Sequence, residues 1–382
     1  MYRDVELIEN GLPLNLLLHL HPMSGFKLIL VIGATGAQGM AVIDALIAPA
    51  SDGSPSPYRV RALTRDPSST RAQKLVAKGV EYIQGTFDSL QTVAAAFEGV
   101  YGAWVNTDGF TVSEQKEIYA GLKIFEIAKR TSSMRHYVWS NLDYGSKKSG
   151  YSPEHRCEHY DGKGRVAEFM KQQDSVPSGM AWTIVTSGPY FELLNTFCGP
   201  FHRRPDGTFV FAAIIQDGHV PFIALSDLGW WARYTFDHRP ETSGKDLEVA
   251  GDMVGWDYLV KTFTEVTGYP AVHKRQTQDE WWLNWKDVDK PVANERGAIP
   301  DGSTSGKENF SAFWSLFRDD IIKRDLGWIR TIHPTGQTLG SWMREQNYQG
   351  TRWLVKTRGP VLKNEEDGKS FFTPNLEAMA QL

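Results

Sequence analysis

Cysteine is almost absent: the chain has two, Cys157 and Cys198, in 382 residues. Two thiols cannot build a disulfide framework or a cysteine-based zinc site. They read as thiols of a reducing compartment, so a cytoplasmic location is expected, with the nucleus as a second one. Long apolar runs are also missing. None approaches the roughly 18 residues that a membrane-spanning helix needs, and no membrane partner is expected. Charge of one sign is not in excess, since 41 Lys and Arg stand against 45 Asp and Glu. Direct nucleic-acid binding calls for a basic stripe or arm. Pairs such as Arg203-Arg204 and Lys147-Lys148 are too short to supply one. His155, Glu158 and His159 lie near one another without HExxH spacing, so no metal site is expected. Nor is a secretory leader expected, because Asp4, Glu6 and Glu9 stand where such a segment needs positive charge. Residues 1–25 read as an N-terminal extension.

What the chain does have is alternation. Residues 26–32 (FKLILVI) are apolar and β-branched, which predicts a buried parallel strand. A glycine-rich turn at 33–39 follows, then a helical stretch at 40–48 and a Pro/Ser/Gly loop at 48–57. Further strands are predicted at 58–64, 80–84, 102–105, 136–140 and 182–186. Helices are predicted between them at 69–78, 90–97, 113–129 and 163–172. Strands alternating with helices of this length make right-handed βαβ units. The expected fold class is therefore α/β, a Rossmann-type doubly wound parallel sheet of six or more strands. Beyond about residue 190 the rhythm breaks. Strands are expected at 208–215, 219–223 and 247–250, and helices at 227–236, 256–267, 310–320 and 339–346. A long polar loop is expected at 287–309. The chain thus divides into the extension 1–25, a dinucleotide-binding domain 26–190, a smaller α/β substrate lobe 191–350 packed discontinuously, and a loosely packed polar tail 351–382.

The turn Gly33-Ala-Thr-Gly36-Ala-Gln-Gly39 carries the chemistry. Its GxxGxxG spacing directly follows a strand and opens a helix, the context a dinucleotide site requires. Gly33 permits the tight turn, Gly36 allows close approach of a pyrophosphate, and Gly39 allows the helix to pack on the strand. The unpaired N–H groups at the helix start favour an anion. Thr35, Ala37 and Gln38 complete the candidate contacts. The end of the second strand separates the two nicotinamide dinucleotides. An acidic residue there suits the free ribose hydroxyl of NAD; this chain has Thr64-Arg65, and a guanidinium suits a 2′-phosphate. The expected cofactor is NADP(H).

GATGAQG followed by LTRDP resembles the NmrA-like branch of the atypical short-chain dehydrogenase/reductases. Three later segments are similar to that family's: HYDGKGRV from His159, GPYFE from Gly188 and VPF–SDLG from Val220. The resemblance covers roughly 26–350, and Tyr151 with Arg156-Cys157 is of a fungal type. It implies a Rossmann domain, a smaller lobe and a substrate cleft between them. It also implies that some members transform small molecules while others sense NADP and regulate partners. Where the family often has Gly-Asp after the third strand, this chain has Gly85-Thr86, and Asp88 is the acidic candidate at that end.

Ordinary short-chain dehydrogenases use Tyr-x-x-x-Lys on a helix, the lysine binding the ribose and lowering the tyrosine pKa. Here Lys163 stands in the lysine position, His159 four residues before it and Tyr160 three before it. A helix beginning only at Asp161-Gly162 would loosen that geometry. Ser140, ending the fifth strand, occupies the place of a substrate-steadying serine. Asn106, Phe110, Tyr190 and Phe191 follow strand C-termini, where ligands of open α/β sheets bind. Tyr144 is a further candidate proton donor. Thirteen tryptophans read first as core packing, second as an aromatic wall. The function expected is an NADPH-dependent reductase of a small aromatic or polyketide-like metabolite. A redox sensor acting on a regulatory protein partner, and an isomerase or cyclase on the same scaffold, are the alternatives. A homodimer is a further expectation.

Overall fold

The run of apolar residues from Lys27 to Ile32 is too short to pack as a helix and too apolar to face water. In the computed structural model, which describes residues 25–50, 52–293, 304–355, 359–368, 370 and 372–382, it is the central strand β1 (Lys27–Ile32). Residues 1–24, nearly all of the expected extension, and 294–303 of the expected long loop lie outside the described residues. The strands β2 (Tyr58–Thr64), β3 (Glu81–Gln84), β4 (Gly102–Val105), β5 (His136–Leu142), β6 (Ala181–Ser187) and β7 (Lys245–Glu248) complete one sheet. Its order is β3-β2-β1-β4-β5-β6-β7 and every pairing is parallel. The central strands are buried on both faces, as a parallel sheet between helices demands. Chain direction across the sheet reverses between β1 and β4. That switch point opens a crevice beyond their carboxyl ends.

The seventh strand corrects the expected lobe strand at 247–250. It lies at 245–248 and adds to β6 rather than to the second lobe. The reason is tertiary. The helix Leu225–Asp237 lies against the helix Ala37–Ile47, and Gly229 allows the approach, since a Cβ there would stand 2.5 Å from the Ala41 carbonyl oxygen. The chain therefore leaves the Rossmann unit after β6 and returns to it at 225–248.

The second lobe is built on a three-stranded sheet, Ala271–Arg275, Phe209–Ala213 and His202–Arg203 in that order. Its core is aromatic: Trp281, Trp285, Trp314 and Phe372 pack within ring-centroid distances of 5.2 to 6.1 Å along their contacts. The helix Gln278–Trp282, unforeseen in the sequence, also belongs to it, whereas Leu326–Ile332, equally unforeseen, packs through Ile329 and Trp328 on the core of the seven-stranded sheet.

Three expectations change here. The helix expected from 163 begins five residues earlier, at Glu158, and runs to Lys171. The expected loop 287–309 ends in a helix, Gly306–Arg318, started by a Ser305/Glu308 capping box. The tail is not loose. Phe372 stacks on Phe197 at 4.0 Å, Met379 is buried, and Thr373–Pro374 pairs antiparallel with Trp285–Lys286. A few well-placed apolar side chains dock this segment, and its average polarity concealed them.

Candidate active site

The glycine turn sits at the crevice. Gly33 has φ +82°, in the left-handed region, and a Cβ on it would lie 2.7 Å from the Asn106 carbonyl oxygen. The Gly36 N–H donates to the Gly33 carbonyl at 3.0 Å, and the helix starts at Ala37. Gly39 faces the other way. A Cβ there would meet the Gly33 carbonyl at 2.2 Å, so this glycine serves packing and does not line the cleft. Gly33, Thr35, Gly36, Ala37 and Gln38 form one end of a cleft of about 330 Å³. Leu63, Thr64, Arg65, Gly85, Thr86 and Phe87, at the ends of β2 and β3, line one side of this end, and Asp88 does not.

Gln38 is held from below. Ser140 Oγ donates to its Oε1 at 2.7 Å, Trp104 Nε1 at 3.2 Å, and its Nε2 donates to the Tyr190 hydroxyl at 3.3 Å. Ser140 is therefore a buried support for Gln38, outside the cleft lining. Tyr190 lines the cleft, but Phe191 does not. The chain turns into a short 3-10 helix at Phe191, and the Phe191 ring stacks on Phe222 and Trp342 in the second lobe.

Because the helix begins at Glu158, His159, Tyr160 and Lys163 share one face of its first turns. All three line the cleft, with Asn106 and Phe110 opposite. The Lys163 ammonium donates to Asn106 Oδ1 at 3.0 Å and to the Thr107 carbonyl at 2.8 Å, and stands 3.2 Å from Glu117 Oε1. Glu117 is wholly buried and also accepts from the Thr107 hydroxyl at 2.7 Å. Lys163 is thus a fixed positive charge on a buried counter-ion.

His159 is a different kind of group. Asn309 accepts from the Glu158 N–H with Oδ1 at 2.8 Å, which leaves its Nδ2 facing His159 Nδ1 at 2.9 Å. An amide N–H cannot accept, so Nδ1 accepts and Nε2 carries the ring proton. Burial, with help from the Lys163 charge, pushes this imidazole down to about 3. Burial also pushes the Tyr160 phenol well up, and that of Tyr190 to about 12. All three therefore stay neutral at ordinary pH. Tyr144 lies outside the cleft lining, its hydroxyl accepting from Arg165 Nε.

A pH dependence of stability follows. His159 and the equally buried His136 both have folded values near 3 against an ordinary 6.5. Depressed bases stabilise fully above 6.5, and that stability is lost as pH falls from 6.5 toward 3. At pH 5 each costs about 2 kcal/mol. Glu192, raised by burial to about 7 from 4.5, acts in the opposite sense over part of that range. Burial also raises the Glu114, Asp161 and Asp246 carboxyls, which trim the effect further; the two histidines set its sign, so urea unfolding is expected to show less stability at pH 5 than at pH 7. A stability that holds steady or rises on going to pH 5 contradicts the account.

Beyond His159 the cleft becomes apolar, walled by Leu142, Leu193, Phe197, Phe310, Phe313 and Phe372. Phe110 stacks on Phe310 with rings 6.0 Å apart and 3° from parallel. Among the described residues no tryptophan lines this chamber. Thr107, Glu117, Asn309, these phenylalanines and the tail residues Leu362, Lys363, Asn364 and Glu365 were not anticipated from the sequence. Glu117 offered a faint signal, a carboxylate in the first turns of an amphipathic helix. Thr107 adjoins the expected Asn106, while Asn309, Phe197, Phe310, Phe313, Phe372 and the tail residues come from remote segments and offered none. Among the described residues no group of three or more His, Cys, Asp or Glu could hold a metal ion, and no helix is long and apolar enough to cross a membrane.

The residues present fit a dinucleotide. The glycine turn brings the start of the helix Ala37–Ile47 to the cleft, and Arg65 and Lys163 stand along the same cleft. Comparisons agree in fold. The NmrA of a crystal structure described as a negative transcriptional regulator in complex with NADP superposes with a TM-score of 0.64 at 19% identity, covering 87% of this chain and 100% of that one. The NADPH-dependent quinone oxidoreductase QOR2 of Escherichia coli, complexed with NADPH, gives 0.60 at 19% identity over 84% and 99%. In sequence, the NmrA-like family domain-containing oxidoreductase malD of Malbranchea aurantiaca is 26% identical over 314 residues, 77% of this chain and 84% of malD. The profile of the NmrA-like family matches residues 26–294, well over half of the chain, and on that match the chain belongs to the NmrA-like family.

Proposed function

We propose that this protein binds NADP(H) in the cleft and is an NADPH-dependent reductase of a small, uncharged aromatic or polyketide-like molecule. The observation that carries the reading is continuity. One cleft runs from the glycine turn and Arg65, past Lys163, into the aromatic chamber. When bound, the reduced nicotinamide supplies a hydride to an electrophilic carbon of the second ligand. Arg65 contacts the 2′-phosphate, and the backbone at Gly33 and Gly36 admits the pyrophosphate. Lys163 holds the nicotinamide ribose and places positive charge where oxygen becomes negative. The phenylalanine walls exclude water and suit a flat apolar ligand. The His159 imidazole and the Tyr160 phenol both retain a proton at neutral pH, and either is a donor to the reacting oxygen. The oxidoreductase relatives and the nucleotide-bound neighbours support this assignment.

The test is loss of NADPH absorbance with a panel of quinones, ketones and imines. Turnover with at least one is expected, and His159→Gln and Tyr160→Phe should differ, the true donor losing about 10²-fold or more. The histidine contributes no inflection near pH 6.5 to kcat/KM, because its ring does not charge there.

A second reading has one observation in its favour. The position four residues before Lys163 holds an imidazole that stays neutral where the ordinary dehydrogenases have a tyrosine. In that reading the protein senses the ratio of NADP+ to NADPH and alters its affinity for a protein partner. Tight nucleotide binding without turnover on the whole panel, with partner capture that follows the nucleotide's redox state, would favour it over the reductase.

A further inference from the structure

A second, smaller hollow adjoins the adenosine end of the cleft, and the tail forms part of its wall. It is lined by Thr35 of the glycine turn, by Thr64 at the end of β2 and Arg65, Asp66 and Ser69 after it, and by Lys363 and Asp367 from the far end of the chain. Leu362, Lys363, Asn364 and Glu365 also line the main cleft. The tail is fastened here. Arg71 reaches both sides of the junction, donating to the Thr35 carbonyl at 3.3 Å and the Val361 carbonyl at 3.1 Å, with Glu366 Oε2 2.6 Å from its Nε. Glu365, nearly buried, accepts from the Val361 and Leu362 N–H groups at 3.0 and 3.2 Å and faces Arg352 at 3.4 Å.

We propose that residues 361–367 complete the adenosine end of the dinucleotide site, and that Lys363 shares with Arg65 the contact to the 2′-phosphate of NADP(H). This rests on the cofactor assignment above and adds a second specificity residue, from a segment outside the residues matched to the family. Lys363 stands at the rim of the same hollow as Arg65. Its present partner is Asp367, one helical turn on, and that pair is about 30% exposed. An exposed pair of this kind is worth little, whereas a charge-assisted contact to a phosphate is strong. The two carboxylates in the hollow have other places to go. Asp66 accepts from the Ser68 N–H at 2.8 Å and the Ser68 hydroxyl at 2.6 Å, and Asp367, whose side chain is 30% exposed, turns to water when Lys363 takes the phosphate. The tail also makes the site conditional, because the adenosine end is fully walled only while 361–367 is docked.

The experiment is calorimetric titration of the full chain and of Lys363→Ala with NADP+ and with NAD+. The expected result is a roughly tenfold weaker NADP+ affinity with NAD+ unchanged, and recovery in Lys363→Arg. Lys363 is on the surface, so the variant should fold as the parent does; circular dichroism checks this. Unchanged affinity for both nucleotides overturns the proposal and leaves the cofactor assignment standing. Equal weakening for both also overturns it, since Lys363 would then act only by docking the tail. Failure of the parent chain to bind either nucleotide removes the cofactor assignment, and this proposal with it.

Discussion

Lys163→Met is expected to lower kcat by about 10²- to 10⁴-fold, the range for removing a group that acts at the reacting atoms. The variant keeps most of the side-chain length and removes the charge. Its cost is not confined to chemistry. The ammonium is the counter-ion of Glu117, whose carboxylate is wholly buried and stands 3.2 Å away. Breaking a buried pair from one side leaves an uncompensated charge and costs about 3–5 kcal/mol. The two effects separate in a double variant. Lys163→Met with Glu117→Gln removes both charges, so stability should largely return while activity stays low. A single variant within threefold of the parent in kcat would end the catalytic role given to Lys163. A double variant as unstable as the single would end the account of Glu117.

The second large effect is on stability alone. Arg324 and Asp143 form a bidentate pair, 2.6 and 3.1 Å, in which both side chains are fully buried. Burial alone would push the Asp143 carboxyl up. The Arg324 guanidinium and the Lys148 ammonium outweigh it and hold the carboxyl below its usual range. Arg324 also donates to the Ser187 carbonyl at 3.1 Å and the Val249 carbonyl at 3.3 Å. Asp143 follows β5, whereas Arg324 lies between the helices Gly306–Arg318 and Leu326–Ile332. The pair thus locks the second lobe to the carboxyl edge of the sheet, beside the cleft. Arg324→Met is expected to lose about 3 kcal/mol in urea unfolding, the lower end for a buried pair broken from one side, because the Asp143 charge stays in the interior with the Lys148 ammonium, 2.6 Å away, as its remaining ionic partner. Replacing both partners by apolar residues should cost far less, since no stranded charge remains. An Arg324→Met variant within 1 kcal/mol of the parent would show that the pair contributes no net stability, which surface pairs often do not.

Much of the Rossmann unit was legible because its signals are local. Strand β2 lies at 58–64 as its alternation predicts, and β4 at 102–105 likewise. The glycine turn was legible for the same reason: a positive φ at Gly33 and a clash-free approach at Gly39 are demands that only glycine meets. The expected places of Ser140 and Phe191 were not what the structure holds. Position after a strand end says that a residue is near the crevice, but not which way its side chain points. Ser140 turns under Gln38, and Phe191 turns into the second lobe. The start of the helix carrying Lys163 was misplaced because Asp161 and Gly162 are weak helix formers. Tertiary contacts decide there: Ser146 N–H donates to Asp161 Oδ1 at 3.0 Å, and the absence of a side chain at Gly164 leaves room for Tyr144.

The first six strands of the sheet and their alternation with helices, the glycine turn that opens the first helix and the positions of Arg65, His159 and Lys163 follow from the sequence by itself, because each depends on residues close along the chain. The return of 225–248 to the sheet, the neutral state of His159, the aromatic chamber and the docking of the tail beside Arg65 were decided only in three dimensions. They depend on partners that stand up to about 300 residues apart, such as Arg71 and Glu366. No local pattern encodes such a pairing. It exists only when burial of the surrounding apolar surface brings the two segments together.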